Sequence, residues 1–411
     1  MKTVSNWPNA IAHIDCDAFY ASCEAARRPD LKGRPICVLS SQNAIVVAKS
    51  YDAKALGITT GMPVWEAKRV APQAVFLAAD FRYYGQLSHK VFSILRHYSP
   101  DIEVYSIDEG FMDMNGIRTL WRKPFRQLAD EIRNVIQRET GITVSVGISV
   151  TRTLAKMASE SNKPNGTTVI PGKRVERFLA DIAVGEIPGI GRNRNALLQK
   201  FNVHTALQFC RLEDNLMQRL LGRHGMILKR ELSGLSVMGL ECDPPLPKSL
   251  ARTASMGEVS CSRETVMAHL SYHIIRLVSE LVAKQLLTHR IHVFLTLASF
   301  EKRGTDIRLA CPSSSLKRIT TAVKEGFMKL FRAGESYRGC GVVATEISRE
   351  ASATPDLFGL MHEDSRQMAL MQTVNRINHR FGHHTLSLAA VQMIRQKQHR
   401  PRFHYPLIIA H

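Results

Sequence analysis

The chain has 411 residues, 45% of them hydrophobic and 22% charged; that excludes a disordered or fibrous protein, and the length calls for roughly two to four domains. Its 55 Lys+Arg against 36 Asp+Glu leave a formal charge of +19, which points to a polyanionic partner: nucleic acid first, because no basic amphipathic anchor supports a membrane surface. The eight cysteines stand singly without CxxC spacing, residues Met1–Pro8 form no apolar leader, and no run reaches transmembrane length, so neither a zinc ribbon nor a disulfide framework is indicated and a cytoplasmic protein that uses no membrane is expected.

In chain order, a first strand over 10–15 runs apolar residues into Asp15-Cys16-Asp17. A helix-compatible segment, Ala18 to Ala26, leads to the turn Arg28-Pro29-Asp30. Pro35–Leu39 and Ala44–Ala48 read as short strands, and Tyr51–Leu56 as a helical turn closed by Gly57. Tyr51 and Lys54 share a face of that turn, either to grip a triphosphate or as an ordinary exposed face. A helix over about 81–98 follows, with Val91, Phe92, Ile94 and Leu95 on its inner side.

Val104–Met114 reads as a β-hairpin with Asp108 and Glu109 at its tip. Alternation sends these two side chains in opposite directions unless the turn re-aims them. An isolated Asp-Glu pair marks a solvated turn, but here Asp15 arrives at the same sheet edge. Three carboxylates at strand ends can hold two magnesium ions, hard cations that take oxygen ligands and clamp an in-line phosphoryl displacement from both sides. Phe125, Leu128, Ile132, Val135 and Ile136 then mark a helix, and 141–149 an alternating strand. The order is β-α-β-β-α-β, a ferredoxin-like split pattern with helices on one sheet face and the other left for a ligand.

Thr151 is the N-cap of a helix through Leu154–Ala158 that ends in the turn Asn162–Gly166. Lys163 on that turn either reaches a phosphate or does nothing specific. Pro188-Gly189-Ile190-Gly191 opens a helix flanked by Arg192, Arg194 and Lys200; the turn resembles a helix-hairpin-helix, in which backbone N–H groups meet a DNA phosphate. Leu240–Lys248, with three prolines, is an extended tether. Beyond it the β-α-β-β-α-β order recurs over about 253–347, with Lys302, Arg303 and Arg308 on strands that line a DNA groove or form a solvated face. The last portion holds a short apolar anchor, Thr354–Phe358, a helix near 363–379 and a basic tail. His379, His383 and His384 lack the carboxylate or thiol that would complete a transition-metal site.

Together these residues resemble the Y-family DNA polymerases, the translesion enzymes, and within them look closest to the UmuC-type catalytic subunit of polymerase V. Ser106-Ile107-Asp108-Glu109 is the most specific of the shared motifs. The resemblance implies an α+β multidomain protein: a palm over 1–18 and 80–170, fingers over 19–79, a helical thumb over 171–238, a linker over 239–247, a little finger over 248–346 and a tail over 347–411. It implies two Mg²⁺ on Asp15, Asp108 and Glu109, with the Cys16 carbonyl as a further ligand. Phe19, Tyr20, Tyr51, Lys54 and Lys163 fall where the family binds the incoming nucleotide, Tyr20 as the steric gate against a 2′-hydroxyl. Asn43–Ala48 would roof the nascent pair, and Gly189, Gly191 and Arg192 would touch DNA.

Thr354–Phe358, through Asp356, Leu357 and Phe358, is similar to a sliding-clamp peptide whose leading Gln-Leu is Thr-Pro here. Two further departures are Gly110, where Ala is common, and Lys54, where many relatives carry Arg. The implied activity is DNA-directed DNA polymerisation, adding deoxynucleotides to a primer 3′-end opposite damaged template in SOS-type damage tolerance. The implied partners are primer–template DNA, dNTPs, the sliding clamp, a UmuD-like accessory dimer and a recombinase filament. Two rivals are a non-catalytic scaffold of the same fold, which has no need of three acids, and a two-metal nuclease, which has no need of a sugar gate.

Overall fold

The computed structural model describes residues 6–40, 43–352, 360–382, 385–387 and 389–391. It divides into two units, Met1–Pro244 and Pro245–His411, and the division falls between two adjacent prolines of the predicted tether.

In the first unit, strand β1 (Ile11–Cys16) leads into α1 (Phe19–Arg27). A small three-stranded sheet follows, made of β2 (Ile36–Leu39), β3 (Val46–Lys49) and β4 (Val75–Ala78), with β2 in the middle. Helices α2 (Tyr51–Ala55) and α3 (Val64–Val70) lie between β3 and β4 in the chain. The chain then returns through α4 (Phe81–Arg96), β5 (Ile102–Val104), β6 (Glu109–Asp113), the short α5 (Ile117–Trp121), α6 (Phe125–Thr140), β7 (Val144–Ser149), α7 (Arg152–Glu160) and β8 (Thr167–Val169). The large sheet has the order β5-β6-β1-β7-β8. The third strand of the β-α-β-β-α-β series, β6, is therefore inserted between the first two, β1 and β5, as the ferredoxin-like expectation requires.

Period-2 alternation in β1 sends Ala12, Ile14 and Cys16 to one face, where they pack with Val91 and Leu95 of α4 and Leu128, Ile132 and Ile136 of α6. The expected helix spacing of α4 and α6 is thus the spacing of the core. The opposite face is not left open. There Ile11 and Phe111 pack with Ala155 of α7, and all six residues of β7 are buried. Gly147 explains the closeness: a Cβ there would stand 2.2 Å from Ala155 O and Ser159 N. Only glycine lets α7 lie this near the sheet.

Helices α8 (Val175–Ala180), α9 (Arg192–Gln199), α10 (Ala206–Arg211) and α11 (Asp214–Leu232) gather around a separate core that includes Leu179, Leu198, Phe209 and Met217. A capping box, Thr205 with Gln208, starts α10.

The second unit contains β9 (Ser249–Ser260), α12 (Arg263–Ala283), β10 (Leu286–Leu297), β11 (Lys302–Ser313), α13 (Leu316–Leu330), β12 (Tyr337–Arg349) and α14 (Leu360–Phe381). Its element order repeats that of the first sheet, but its strand order is β11-β10-β12-β9, fully antiparallel. Here the fourth strand, not the third, is inserted between the first two. The stripe Val266, Leu270, Ile274, Val278, Leu281 of α12 is buried against the sheet, as its spacing predicts. The last helix joins this core through Met371, and Asn375 Nδ2 donates to Ser279 O. No helix among the described residues is long and apolar enough to cross a membrane.

Candidate metal and nucleotide site

Asp15 on β1 is the direct ladder partner of Glu109 on β6. By alternation both side chains stand on the face that α7 covers, two residues along from the pair His13 and Phe111. Ligand atoms of His13, Asp15 and Glu109 lie within 4.8 Å of one another, the one such group among the described residues. Asp108 is outside it. The Ser106 hydroxyl donates to Asp108 Oδ1 and accepts from the backbone N–H groups of Asp108 and Glu109, so this serine builds the turn and holds the first acid. The charge of Asp108 instead meets Tyr20, whose phenol is raised by burial and then by that carboxylate.

Two ammonium groups already serve these acids. Lys163 Nζ lies 2.7 Å from Asp15 Oδ1 and 2.7 Å from Glu160 Oε1, and Lys156 Nζ meets Glu109 Oε2. Burial pushes the Asp15 carboxyl upward, against the pull of Lys163. Burial also works to raise Glu109, but hydrogen bonds from His13 and Lys156 and the Lys156 charge outweigh it and hold the carboxyl at about 2. Asp17, almost fully buried, accepts from Ser145 Oγ at 2.7 Å and from Asn165 N at 2.8 Å. It thereby ties the 162–166 turn, and Lys163 with it, to the end of β1.

The remaining expected residues distribute as follows. Cys16 is buried, its N–H donating 2.8 Å to Asp108 O, so a ligand could meet only its backbone. Phe19 is 3% exposed in the core and can likewise offer only its amide. Tyr20 is half-buried, stacked on Tyr84 at 4.6 Å and 18° and edge-on to Phe81. Tyr51 opens α2 behind its N-cap Ser50; its phenol is pushed up to about 12 by burial and then by the charge of Asp17, with Lys163 and Asp15 also within electrostatic reach. Lys54 is exposed on the same turn. Gly189 has φ +92°, a left-handed turn that favours glycine, and Gly191 is the N-cap of α9, at whose first position stands exposed Arg192. Arg194 Nη1 donates 2.7 Å to Gly189 O. A cleft of about 760 Å³ brings Gly189 and His224 together with Tyr105, Phe111, Arg152 and Lys156. Arg303 on β11 already pairs with Glu335 at 2.6 Å, which favours the plain solvated reading for that residue. Asp356, Leu357 and Phe358 lie outside the described residues.

His13 and Asp17 were missed by sequence reasoning. The signal for His13 was its parity: two residues before Asp15 on one strand, it shares that residue's face. Asp17 gave no such signal, because its partners come from 145 and 165.

The impB/mucB/samB family matches residues 14–160, its C-terminal domain matches 247–357, and a domain of unknown function matches 368–404. DNA polymerase IV of Desulfatibacillum aliphaticivorans is 30% identical over 391 residues, 93% of this chain and 97% of that one. DNA polymerase IV 1 of Bacillus subtilis is 29% identical over 378 residues, 90% of each chain. Protein ImpB of Salmonella typhimurium is 28% identical over 385 residues, 89% of this chain and 90% of that one. Among solved structures, a Y-family DNA polymerase chimera of Dbh and Dpo4 matches with a TM-score of 0.70 at 23% identity, covering 83% of this chain and 99% of that one. The insertion ternary complex of Dbh DNA polymerase matches with a TM-score of 0.58 at 23% identity, covering 83% and 99%. At that identity the structures speak for the fold.

Proposed function

Since the chain belongs to the impB/mucB/samB family of Y-family DNA polymerases, we propose that it extends a primer 3′-end opposite damaged template, with Asp15, Asp108, Glu109 and the Cys16 carbonyl holding two Mg²⁺. The observation that carries this reading is the ladder pair Asp15–Glu109, two carboxylates facing each other and each already holding an ammonium ion. A donor set of carboxylates, a neighbouring carbonyl and stand-in cations fits a hard metal ion. When bound, the metal ions supply a lowered pKa for the primer hydroxyl and charge neutralisation for the triphosphate.

The chain's own residues position the reactants, which is most of what nucleotidyl transfer asks of a protein. Lys163 and Tyr51, beside Asp15, take the triphosphate together with Lys54 and the amides of Phe19 and Tyr20. Tyr20, braced by Tyr84 and Phe81, stands under the sugar and excludes a 2′-hydroxyl. The backbone of Gly189 and Gly191 and the side chain of Arg192 hold a primer–template phosphate, Gly189 from the wall of a cleft that also reaches Lys156. The formal charge of +19 favours phosphate contacts with steep salt dependence and little sequence preference. The segments 1–18 with 80–170, 19–79, 171–238 and 248–346 act as palm, fingers, thumb and little finger. Asp356–Phe358 takes the sliding clamp, and a UmuD-like accessory dimer and a recombinase filament are further partners in a cytoplasmic damage response.

Primer extension on undamaged and abasic templates, with Mg²⁺ and four dNTPs, tests the reading beside an Asp108→Ala control. Extension past the abasic site that the control lacks is the expected result. Extension by the control equal to that of the natural chain would overturn it.

A further inference from the structure

We infer that His13 is a positioning residue: its imidazole, braced by Ser159, aims the Glu109 carboxylate at Asp15 and so shapes the cation site without being a ligand of it. The inference rests on the metal-site reading above. His13 is 0% exposed in the middle of β1, its ring 4.7 Å from that of Phe111. Its Nε2 is 3.1 Å from Glu109 Oε2, and its Nδ1 is 2.7 Å from Ser159 Oγ.

A carboxylate oxygen can only accept, so the contact at 3.1 Å calls for an N–H on Nε2. Nδ1 meets the Ser159 hydroxyl at 2.7 Å, and that hydroxyl is itself fixed by donating 2.8 Å to Lys156 O. Both nitrogens are engaged, and no lone pair is left for a cation, least of all for Mg²⁺, which prefers oxygen. The brace exists because Gly147, the ladder partner of His13 on β7, admits α7 close enough for Ser159 to reach the ring. Glu109 Oε2 has one other partner, Lys156, on a flexible stem in the neighbouring cleft. His13 is the rigid one of the two, and an orienting partner of a metal-binding carboxylate is the kind of group on which such a site depends.

The test is a calorimetric titration of Mn²⁺ alone into the full chain and its variants, each checked for folding by circular dichroism. Asp15→Ala should lose the binding. His13→Leu should weaken it about tenfold or more, whereas His13→Gln, whose amide N–H stands near the Nε2 position, should stay within about threefold of the natural chain. Wild-type affinity in His13→Leu would overturn the inference, as would His13→Gln as weak as His13→Leu, since the ring nitrogen would then be a ligand. Should His13→Leu fail to fold, Ser159→Ala takes its place: a smaller loss in the same direction is expected, and no loss would overturn the inference. Mn²⁺ binding lost in Asp15→Ala from a chain that extends no primer would sink the polymerase reading alone. Mn²⁺ binding untouched by Asp15→Ala would sink the metal site and this inference together.

Discussion

Lys163 Nζ lies 2.7 Å from Asp15 Oδ1, on a turn that Asp17 fastens to the end of β1 through Asn165 N. The ammonium is thus built in beside the first carboxylate. Lys163→Met is expected to raise the KM for dNTP about tenfold, the worth of one charge-assisted hydrogen bond, and to leave the Kd for primer–template DNA unchanged. Steady-state incorporation and DNA-binding titrations measure the two separately. Weakened DNA binding with an intact KM would remove Lys163 from the triphosphate.

Tyr20 stacks on Tyr84, which is fully buried and donates its hydroxyl to Glu24 Oε1 at 2.7 Å. A ring held on a rigid platform discriminates by shape. Tyr20→Ala should raise ribonucleotide incorporation relative to deoxyribonucleotide by roughly 10–100-fold, the range one pocket contact supplies. Tyr20→Phe should keep the discrimination. Equal selectivity in all three proteins would place the sugar gate elsewhere.

Gly110 leaves no room for a side chain. A Cβ at 110 would meet Phe92 Cε1 at 2.5 Å and Glu103 O at 2.8 Å. Phe92 fills the core space that an alanine methyl would need. Gly110→Ala should destabilise the first unit by about 2 kcal/mol, a typical overpacking cost. Adding Phe92→Leu should recover part of that loss, which a double-mutant cycle by urea unfolding would read as a favourable coupling. Additive losses would show that the Glu103 carbonyl, and not the ring, sets the limit.

His273 on α12 is 1% exposed, and neither ring nitrogen has a hydrogen-bond partner. Burial, then the neighbouring His269, Arg276 and Arg252, lower its pKa to about 4. The unfolded chain therefore takes up a proton near pH 6.5 that the folded chain refuses until about pH 4. Stability is full above pH 6.5 and falls as pH drops through this window, by up to about 3 kcal/mol in all. His273→Leu should flatten this fall, as read from unfolding midpoints between pH 7.5 and pH 4.5. An equal slope in both proteins would assign the acid sensitivity to other groups.

Strong local periodicity explains what the sequence made legible. The path from β1 through α4, β5, β6 and α6 to β7 follows from apolar spacing, and the acids at 15 and 109 follow from where two strands begin and end. Pairing and approach distance are not local, and there the reading fell short. α7 on the second sheet face depends on Gly147, a residue whose role appears only when a helix lies over it. The 302–305 stretch of β11 is polar, and it is the ladder with β10 that holds it in register from Lys302 through Asp306. The insertion of β12, and not β11, between β9 and β10 has no signature in either strand's own residues. In the site, the hold on Asp108 comes from the Ser106 hydroxyl, and the Asp15–Glu109 pairing comes from register.

The measurement that bears most directly on the central claim is single-turnover incorporation of one dNTP on a primer–template as Mg²⁺ is removed with chelator and restored, for the natural chain and for Asp15→Ala. The account predicts incorporation that vanishes without Mg²⁺, returns with it, and is lost in the variant by roughly a thousandfold or more, as expected when electrostatic stabilisation of the transition state is removed. Incorporation by Asp15→Ala at the natural rate, or incorporation indifferent to Mg²⁺, would contradict it.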